Sequence, residues 1–505
     1  MEDALPKCIL PPSSESSWAP PLDVRDLVVR MEADGLTGNV CRSRYGFRNI
    51  WEMAEEYLPV AQEQKAIAPT TVTQPGTVRG YLKGVAFALP LLCCCLAVLF
   101  FKVSLWGGSM SANQAAAIAM ATVASFAVTG GFLQIIGRQA HFYKENRDWG
   151  LCSSVCWLFM KAGCFALLAC VAAGFAANLY FGWLPFTILS WCAAFHVGIG
   201  AYLLISGILY VLDGELLVAL ATALGTALVI VLHLVLRAPL LPSQITGIFA
   251  ATGICIASTA FRFRKLRRGS ACLSQLPSPG RLVYMLWPYF IYGLLYYAYL
   301  FADRMIAWSA ATETSSLPFQ FRGDYETSLD MCLFAFIVQV GWVHIGLVRF
   351  YRIVTQKEMH FQITARRKMV DAIKSFYNQQ IAVFGILFVI SSVGVVFTVK
   401  QIHALEAMML FRVVLLGLIG IPLLAVGLWN IALLFALSRP TYVLTSVAWA
   451  LLSDICAGYV LSRLFSYDLA IVGFDIGSAA LVCISGWFCR RLFNNFDYHY
   501  FAASV

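Results

Sequence analysis

The sequence predicts an all-α polytopic membrane protein with about twelve transmembrane helices in two pseudo-symmetric bundles of six. Three observations lead to this prediction. Charged residues make up only 12% of the chain, against about 25% in soluble domains. Apolar segments of roughly 20 residues, long enough to cross a bilayer, recur throughout the sequence. A basic stretch at 262–281 divides these segments into two similar halves, which is an organisation typical of transporters.

Lys and Arg are concentrated in the even-numbered connections between the predicted spans. Arg138 and Lys144 follow the second span, and Arg490 and Arg491 follow the last one. Because positively charged loops remain in the cytoplasm, both termini and the basic stretch are predicted to be cytoplasmic. The net charge of +9 therefore indicates membrane orientation and not nucleic-acid binding. The predicted spans are 80–102, 113–137, 152–180, 183–211, 215–236, 241–261, 282–303, 329–351, 380–400, 407–436, 441–464 and 468–489.

These spans predict five segments along the chain. A cytoplasmic N-terminal extension at 1–78 contains two helix-like pieces, 23–32 and 47–62. The first six-helix bundle covers 79–261, the cytoplasmic basic linker 262–281, the second six-helix bundle 282–489 and the cytoplasmic C-terminal tail 490–505.

The motifs of the common enzyme classes are absent from the sequence. It contains no Walker A motif, no HExxH, no GxSxG and no CxxC pair. Its 16 cysteines lack the spacing of a metal site, and most fall within apolar segments, where small hydrophobic side chains pack between helices. The chain is therefore predicted to be a non-enzyme without catalytic residues, metal or cofactor.

Three carboxylates are predicted at membrane depth or at the edge of a span. Asp330 begins the eighth span, Asp454 lies in the eleventh and Asp475 in the twelfth. A charge at the bilayer centre costs about 2.5–3.5 kcal/mol on insertion scales, so each carboxylate needs a partner or a hydrated cavity. Arg412 in the tenth span is a candidate partner for Asp454 or Asp475. Two interpretations remain open: a structural ion pair, or a site for a coupling cation on the transport route.

The seventh span contains a row of tyrosines. Tyr289, Tyr292, Tyr296, Tyr299 and Asp303 are spaced by three or four residues, which places them on one helix face. Aromatic rings with hydroxyl tips suit the stacking and hydrogen bonding of sugars. The alternative is that the row packs against lipid headgroups or a neighbouring helix. The first interpretation predicts a substrate path along this face that includes Asp330.

Other residues of the spans suggest close packing and bending. Gly130 and Gly131 permit close helix approach in the second span, and Pro90 and Pro288 can interrupt helices beside a cavity. The histidines near membrane depth, of which His196 is one, are scattered over different spans. For such a histidine, a hydrogen bond to a neighbour is a commoner role than proton relay, although intramembrane ionisable groups are often functional.

Several segments resemble the PelG family of exopolysaccharide exporters. They are GGFLQIIGRQAHFYKENRDWG at 130–150, HVGIGAYLLISGILYVLDGELLVALATALG at 196–225, YFIYGLLYYAYLFADRMIAWSA at 289–310 and DYETSLDMCLFAFIVQVGWVHIGLVRFYRIV at 324–354. Their order and spacing are similar to that family over roughly residues 80–490. The extension at 1–78 and the cysteine-rich first span depart from the family pattern.

The resemblance implies a member of the multidrug/oligosaccharidyl-lipid/polysaccharide (MOP) flippase superfamily with a MATE-like fold and alternating access. It implies export of a Pel-like, amino-sugar-rich exopolysaccharide or a lipid-linked oligosaccharide across a bacterial inner membrane, in connection with biofilm formation. The implied partners are the polysaccharide, membrane lipids, a cytoplasmic glycosyltransferase and small membrane subunits of a synthase complex.

Three other functions stay open at this point. A cation-coupled multidrug exporter of the same superfamily needs a compact carboxylate site. A membrane-embedded glycosyltransferase or acyltransferase needs a catalytic motif that is not found. A membrane anchor or scaffold for a polysaccharide synthase needs only a binding surface, for which the extension at 1–78 is the candidate.

Overall fold

The computed structural model describes residues 23–33, 38, 41–63, 77–108, 110–146, 148–182, 184–267, 279–310, 320–358, 366–401, 410–494 and 496. Over these residues the chain is built from helices, and the one extended feature is an isolated antiparallel bridge between Val103 and Gly108. The chain divides into two compact units. One contains Met1–Gly76, Lys144–Asp148 and Ser504–Val505, and the other contains Thr77–Tyr143 and Trp149–Ala503.

In the first unit, helices α1 (Val24–Ala33) and α2 (Ile50–Glu63) are joined through a π-helical turn, Cys41–Tyr45. The Asp23 and Asn49 side chains cap the two helices, each accepting a backbone N–H bond of 2.8 Å in the first turn. The helices match the predicted pieces and bury an apolar core of their own, which includes Met53. Burial there raises the pKa of the Cys41 thiol.

The first bundle begins with a broken span. Helices α3 (Thr77–Ala86) and α4 (Leu89–Phe101) meet at an angle of 57° around Phe87 and Ala88, just before Pro90. The helices that follow are α5 (Ala112–Glu145), α6 (Trp149–Phe181), α7 (Phe186–Val211), α8 (Glu215–Ile230, continued by a π-helical turn, Val231–Val235) and α9 (Leu240–Arg267).

The second bundle repeats this order without a break in its first span. Its helices are α10 (Pro279–Ser309), α11 (Gly323–Glu358), α12 (Arg366–Gln401), α13 (Phe411–Ala436), α14 (Pro440–Leu464) and α15 (Ala470–Asn494), with a 3-10 turn, Tyr467–Leu469, before α15. Each bundle has its own apolar core. The arrangement confirms the predicted fold class.

The first predicted span lies on the bent pair α3–α4, and each of the others lies on one helix. The helices differ in whether they are long and apolar enough to cross a membrane. In the described part of the chain, ten helices are long and apolar enough to cross a membrane, and the bent pair α3–α4 makes an eleventh. The remaining predicted span, the seventh, corresponds to α10, a helix of 31 residues. It is less apolar than the others because five of its residues between Tyr289 and Tyr299 are tyrosines.

The two bundles meet at two glycine-lined helix crossings. At one, a Cβ atom on Gly130 of α5 would lie 2.7 Å from the carbonyl oxygen of Gly293 on α10. At the other, a Cβ atom on Gly84 of α3 would lie 2.9 Å from the Cα atom of Gly341 on α11. The first span of each bundle thus crosses the second span of the other. The crossings are related by the pseudo-symmetry of the fold, and each requires backbones to approach closely.

Candidate functional site

Three carboxylates from distant parts of the sequence come together inside the second bundle. We call Asp303, Asp454 and Asp475 the acidic cluster. Asp303 lies near the end of α10, Asp454 in the middle of α14 and Asp475 in the second turn of α15. The three charges act on one another electrostatically. The arrangement gathers three of the carboxylates expected to be functional and leaves Asp330 outside.

Glycines bring the helices of the cluster close together. A Cβ atom on Gly473 would lie 2.6 Å from the carbonyl oxygen of Asp454, and one on Gly477 would lie 3.0 Å from the Asp454 Cβ. On the other side of α15, a Cβ atom on Gly420 of α13 would meet the carboxylate of Asp475. The small residues therefore allow both carboxylates to sit between helices at short range.

The members of the cluster differ in their hydrogen-bond partners. The Tyr325 hydroxyl donates to Asp303 Oδ2 at 2.7 Å. Asp454 has no exposed surface, and neither of its carboxylate oxygens has a hydrogen-bond partner among the described residues. Asp475 Oδ1 is also unpartnered in the described part of the chain. Because a buried, unpaired carboxylate costs several kcal/mol, this geometry favours a bound proton or another cation.

Arg412, the expected partner of Asp454 or Asp475, pairs with a different carboxylate. Its Nη1 atom lies 3.5 Å from Asp468 Oδ2. Arg412 lies in the first turn of α13, where the 3-10 turn before α15 presents Asp468. Asp454, by contrast, lies midway along α14. Arg412 therefore pairs with Asp468 because both residues lie at helix ends, and Arg412 does not neutralise the acidic cluster.

Asp330 belongs to a charged group where α10 ends and α11 begins, and Arg304 of this group also acts on Asp303 of the acidic cluster. Arg304 Nη1 lies 2.7 Å from Glu326 Oε2, and the Trp308 indole N–H donates to Glu326 Oε1 at 3.0 Å. Asp330 interacts electrostatically with Arg304 and with Cys95 of the first bundle. Arg304 and Glu326 were not among the site residues predicted from the sequence. The adjacent Asp303–Arg304 pair, which ends an apolar span, was the available signal.

The tyrosine row of α10 does share one face, as its spacing predicted, but that face packs into protein. Tyr289 stacks on Phe435, and Tyr292 packs against both Phe435 and Tyr296. Tyr299 has no exposed surface; its hydroxyl lies 2.5 Å from the Ser478 Oγ. In this conformation the row contributes to the core of the second bundle rather than lining an open path.

The aromatic side chains between the bundles come partly from other positions. The Phe126 ring of α5 lies 5.2 Å from Tyr297 and 5.4 Å from Phe301 of α10. Phe132 lies 5.1 Å from Phe290. We call these five aromatic residues, together with Gly130 and Gly293, the bundle seam. Tyr297, which lies off the tyrosine face, contacts Phe126 and Gly130 across this seam.

The other candidate features do not add to the acidic cluster. His196 is buried in the first bundle, with Nδ1 3.1 Å from the Ser125 Oγ, so a neighbouring hydrogen bond accounts for one of its nitrogens. A cavity of about 350 Å³ near the start of α5 and α9 is lined by Met110, Trp191 and Pro239, among others. Among the described residues, no group of three or more His, Cys, Asp or Glu is arranged to hold a metal ion.

Comparison with solved structures gives the fold a precedent. An outward-facing multidrug resistance MATE family transporter of the MOP superfamily matches with a TM-score of 0.56 and 11% identity, covering 84% of this chain and 97% of that one. A mutant of the Vibrio cholerae MATE transporter VcmN matches with a TM-score of 0.58 and 14% identity, covering 85% and 100%. The chain has the MATE fold. The MATE transporter ClbM in complex with Rb⁺ also matches, with a TM-score of 0.52, 12% identity and coverage of 83% and 95%.

Sequence comparison adds no closer relative. No protein-family model matches the chain, and no curated protein matches it significantly. At these identities the likeness concerns the MATE fold alone, so cargo and coupling ion must be argued from this chain's own residues.

Proposed function

We propose that this chain is a secondary transporter that uses the MATE fold to couple export of its cargo to the movement of a monovalent cation, H⁺ or Na⁺. The cation binds at the acidic cluster in the second bundle. The observation that carries the proposal is Asp454, which is fully buried and whose two carboxylate oxygens have no hydrogen-bond partner among the described residues. A functional role is the default interpretation of an intramembrane carboxylate of this kind.

Charge neutralisation supplies the coupling. The unneutralised cluster holds like charges in a poorly hydrated site, which disfavours close packing of α14 on α15. A bound cation removes that penalty and favours the packed arrangement. The cation therefore shifts the conformational equilibrium by its difference in affinity for the two states, as any coupled ligand must.

The test is the charge displaced when a cation binds. Purified protein in proteoliposomes is adsorbed to a sensor, and currents are recorded after a pH jump without Na⁺ and after a Na⁺ jump at constant pH. We expect a transient current in one arm, which identifies the ion, and its loss in Asp454→Asn. The Asn side chain keeps the volume but removes the charge.

Asp468→Asn is the matched control. Asp468 is another carboxylate of the second bundle, and it is paired with Arg412. It should retain the current. A current of normal size in Asp454→Asn, or no current in either arm with the unmodified protein, would contradict cation coupling at this site.

For the cargo, we propose an amino-sugar-rich exopolysaccharide or a lipid-linked oligosaccharide. The bundle seam supports this choice, because opening it exposes several aromatic faces on which sugar rings can stack. The similarity of segments 130–150 and 289–310 to exopolysaccharide exporters points the same way. A cytoplasmic glycosyltransferase and small membrane subunits would then be the partners, in a bacterial inner membrane with both termini cytoplasmic.

Flat aromatic faces also suit planar organic cations, so the multidrug alternative has equal standing at the seam. Proteoliposomes with a cation gradient distinguish the two cargoes. Gradient-dependent uptake of a short hexosamine oligosaccharide supports the saccharide, and uptake of ethidium alone supports a drug exporter. If neither is transported while the chain retains a glycosyltransferase on affinity purification, the scaffold role replaces both.

A further inference from the structure

The inner half of the broken first span has two sets of neighbours. Helix α3 packs against α11, which belongs to the second bundle, and it also reaches the α7–α8 connection of the first bundle. Its covalent continuation, α4, is turned away by 57°. Which bundle α3 follows when the bundles move depends on the relative strength of these two contacts.

The contact with α11 is close and largely shielded from solvent. A Cβ atom on Gly84 would lie 2.9 Å from the Gly341 Cα and 2.8 Å from the His344 Cβ. On the same face, a Cβ atom on Gly341 would lie 2.6 Å from the Tyr81 ring, and the Tyr81 hydroxyl donates to the Val338 carbonyl at 2.9 Å. Glycine-mediated backbone contact and a cross-helix hydrogen bond are the interactions that hold membrane helices together.

The contact with the first bundle is more exposed. Lys83 Nζ lies 2.6 Å from Asp213 Oδ1, but the two side chains are 38% and 48% exposed. Lys83 is 3.8 Å from Glu215 Oε1. The Phe87 ring stacks on Tyr210 at 4.8 Å, and the Tyr210 hydroxyl reaches the Phe87 carbonyl at 3.4 Å. An exposed ion pair is screened by solvent and contributes little, so the Lys83–Asp213 pair adds little strength to this contact.

The backbone between α3 and α4 is suited to bending. Two hydrogen bonds between residues three apart replace the regular helical pattern. The Phe87 N–H donates to the Gly84 carbonyl at 3.3 Å, and the Ala88 N–H donates to the Val85 carbonyl at 2.9 Å. Pro90 occupies the first turn of α4 and cannot donate a bond back into α3. The two half-helices are therefore joined without a continuous hydrogen-bond ladder.

We propose that α3 is mechanically part of the second bundle: it stays docked on α11 while the rest of the first bundle rocks about Phe87 and Ala88. The Lys83–Asp213 ion pair and the Phe87–Tyr210 stack are then the contacts that break and re-form in each cycle. Closure of the inner end depends on α3 returning to the α7–α8 connection. The role of α3 in closing the inner end rests on the proposed transport function. The docking of α3 on α11 is tested separately.

The transport-independent test measures distances in lipid nanodiscs. Genetically encoded spin-label amino acids avoid the native cysteines, and exposed positions accept them: Val78 on α3, Tyr351 on α11 and Leu216 on α8. We expect the distance distribution between 78 and 351 to stay narrow and unchanged when H⁺ or Na⁺ is varied. The distribution between 78 and 216 should shift or broaden. The reverse pattern, or two unchanged distributions, would overturn the proposal.

Disulfide cross-links supply the functional arm. Gly80→Cys with Ile345→Cys links α3 to α11, where a Cβ atom on Gly80 would lie 3.7 Å from the Ile345 side chain. Lys83→Cys with Asp213→Cys links α3 to the first bundle. We expect the first link to leave the cation-jump current intact and the second to abolish it until a reductant is added, with the single-cysteine variants unaffected.

The opposite cross-linking result would place α3 in the first bundle and contradict the proposal. Loss of current in all reduced variants and in the unmodified protein would instead contradict cation coupling, and the spin-label distances would still decide the position of α3. The two hypotheses therefore fail on different measurements.

Discussion

Gly130 of α5 and Gly293 of α10 hold the two bundles at backbone contact. A Cβ atom on Gly130 would lie 2.7 Å from the Gly293 carbonyl oxygen and would also overlap the Tyr297 ring. The same relationship recurs between Gly84 and Gly341 at the pseudo-equivalent crossing. Any side chain at these positions must separate the bundles or displace an aromatic ring.

Gly130→Ala should therefore destabilise the protein by about 1–3 kcal/mol through overpacking. It should also impair transport, because the bundles no longer close at the seam. Gly137→Ala on the same helix is the control. No described atom lies within 4 Å of a Cβ at that position, and helix propensity predicts a gain of about 0.5–1 kcal/mol. Thermal unfolding in detergent measures both effects, and equal destabilisation by the two changes would contradict the role of the crossing.

Asp454→Asn should raise the unfolding temperature at mildly alkaline pH and low Na⁺. The amide keeps the shape of the side chain but removes an unpartnered charge from a fully buried position. Asp468→Asn should leave stability unchanged or lower it by at most about 1 kcal/mol, since Asp468 pairs with the exposed Arg412. A lower unfolding temperature for Asp454→Asn would mean that Asp454 is satisfied in the native state.

The hydroxyls of Tyr299 and Ser478 should be energetically coupled. They lie 2.5 Å apart, and both residues lack exposed surface. A double-mutant cycle with Tyr299→Phe and Ser478→Ala should give a coupling energy of about 0.6 kcal/mol, and at most roughly 1.7 kcal/mol, as between other membrane helices. Zero coupling in reversible unfolding would show that this hydrogen bond does not hold α10 against α15.

Replacement of tyrosines on α10 should separate stability from transport. Tyr292→Leu removes a buried ring that stacks on Tyr296 and meets Phe435 edge-on, so it should lower stability. Tyr297→Leu alters the bundle seam and should reduce cargo transport more than stability. Tyr284→Leu is the control, because Tyr284 is 79% exposed. If Tyr292→Leu reduces transport in a protein of normal stability, the tyrosine row contacts substrate after all.

The predicted topology places the basic linker and the end of α10 on opposite sides of the membrane. A cysteine at Ser270 should react with an impermeant reagent from the cytoplasm, and one at Ser309 from the other side. Ser270 lies outside the described residues, whereas Ser309 accepts a hydrogen bond from Arg463 Nη2 at 2.8 Å. Labelling of both serine positions from one side would contradict the twelve-span topology.

Local sequence was sufficient to predict the helices, because a backbone surrounded by lipid must form its hydrogen bonds within its own segment. A long apolar segment must satisfy its own N–H and C=O groups, so hydropathy alone located the spans. Spacing by three and four residues also placed the five residues from Tyr289 to Asp303 on one face of α10. Both predictions depend only on residues close together in the chain, and the sequence gives their order directly.

What each helix face meets was decided by tertiary structure. The sequence suggested Arg412 as a partner for Asp454 or Asp475. The position of each residue along its helix instead pairs Arg412 with Asp468, and Asp454 has no partner among the described residues. The glycines at 84, 130, 293 and 341 permitted close approach somewhere, and only the packing of the bundles matched them in pairs. Ion pairing and close contact require two partners at the same depth and orientation. These partners are far apart in the chain, so the pattern of a single span cannot predict which residues will meet.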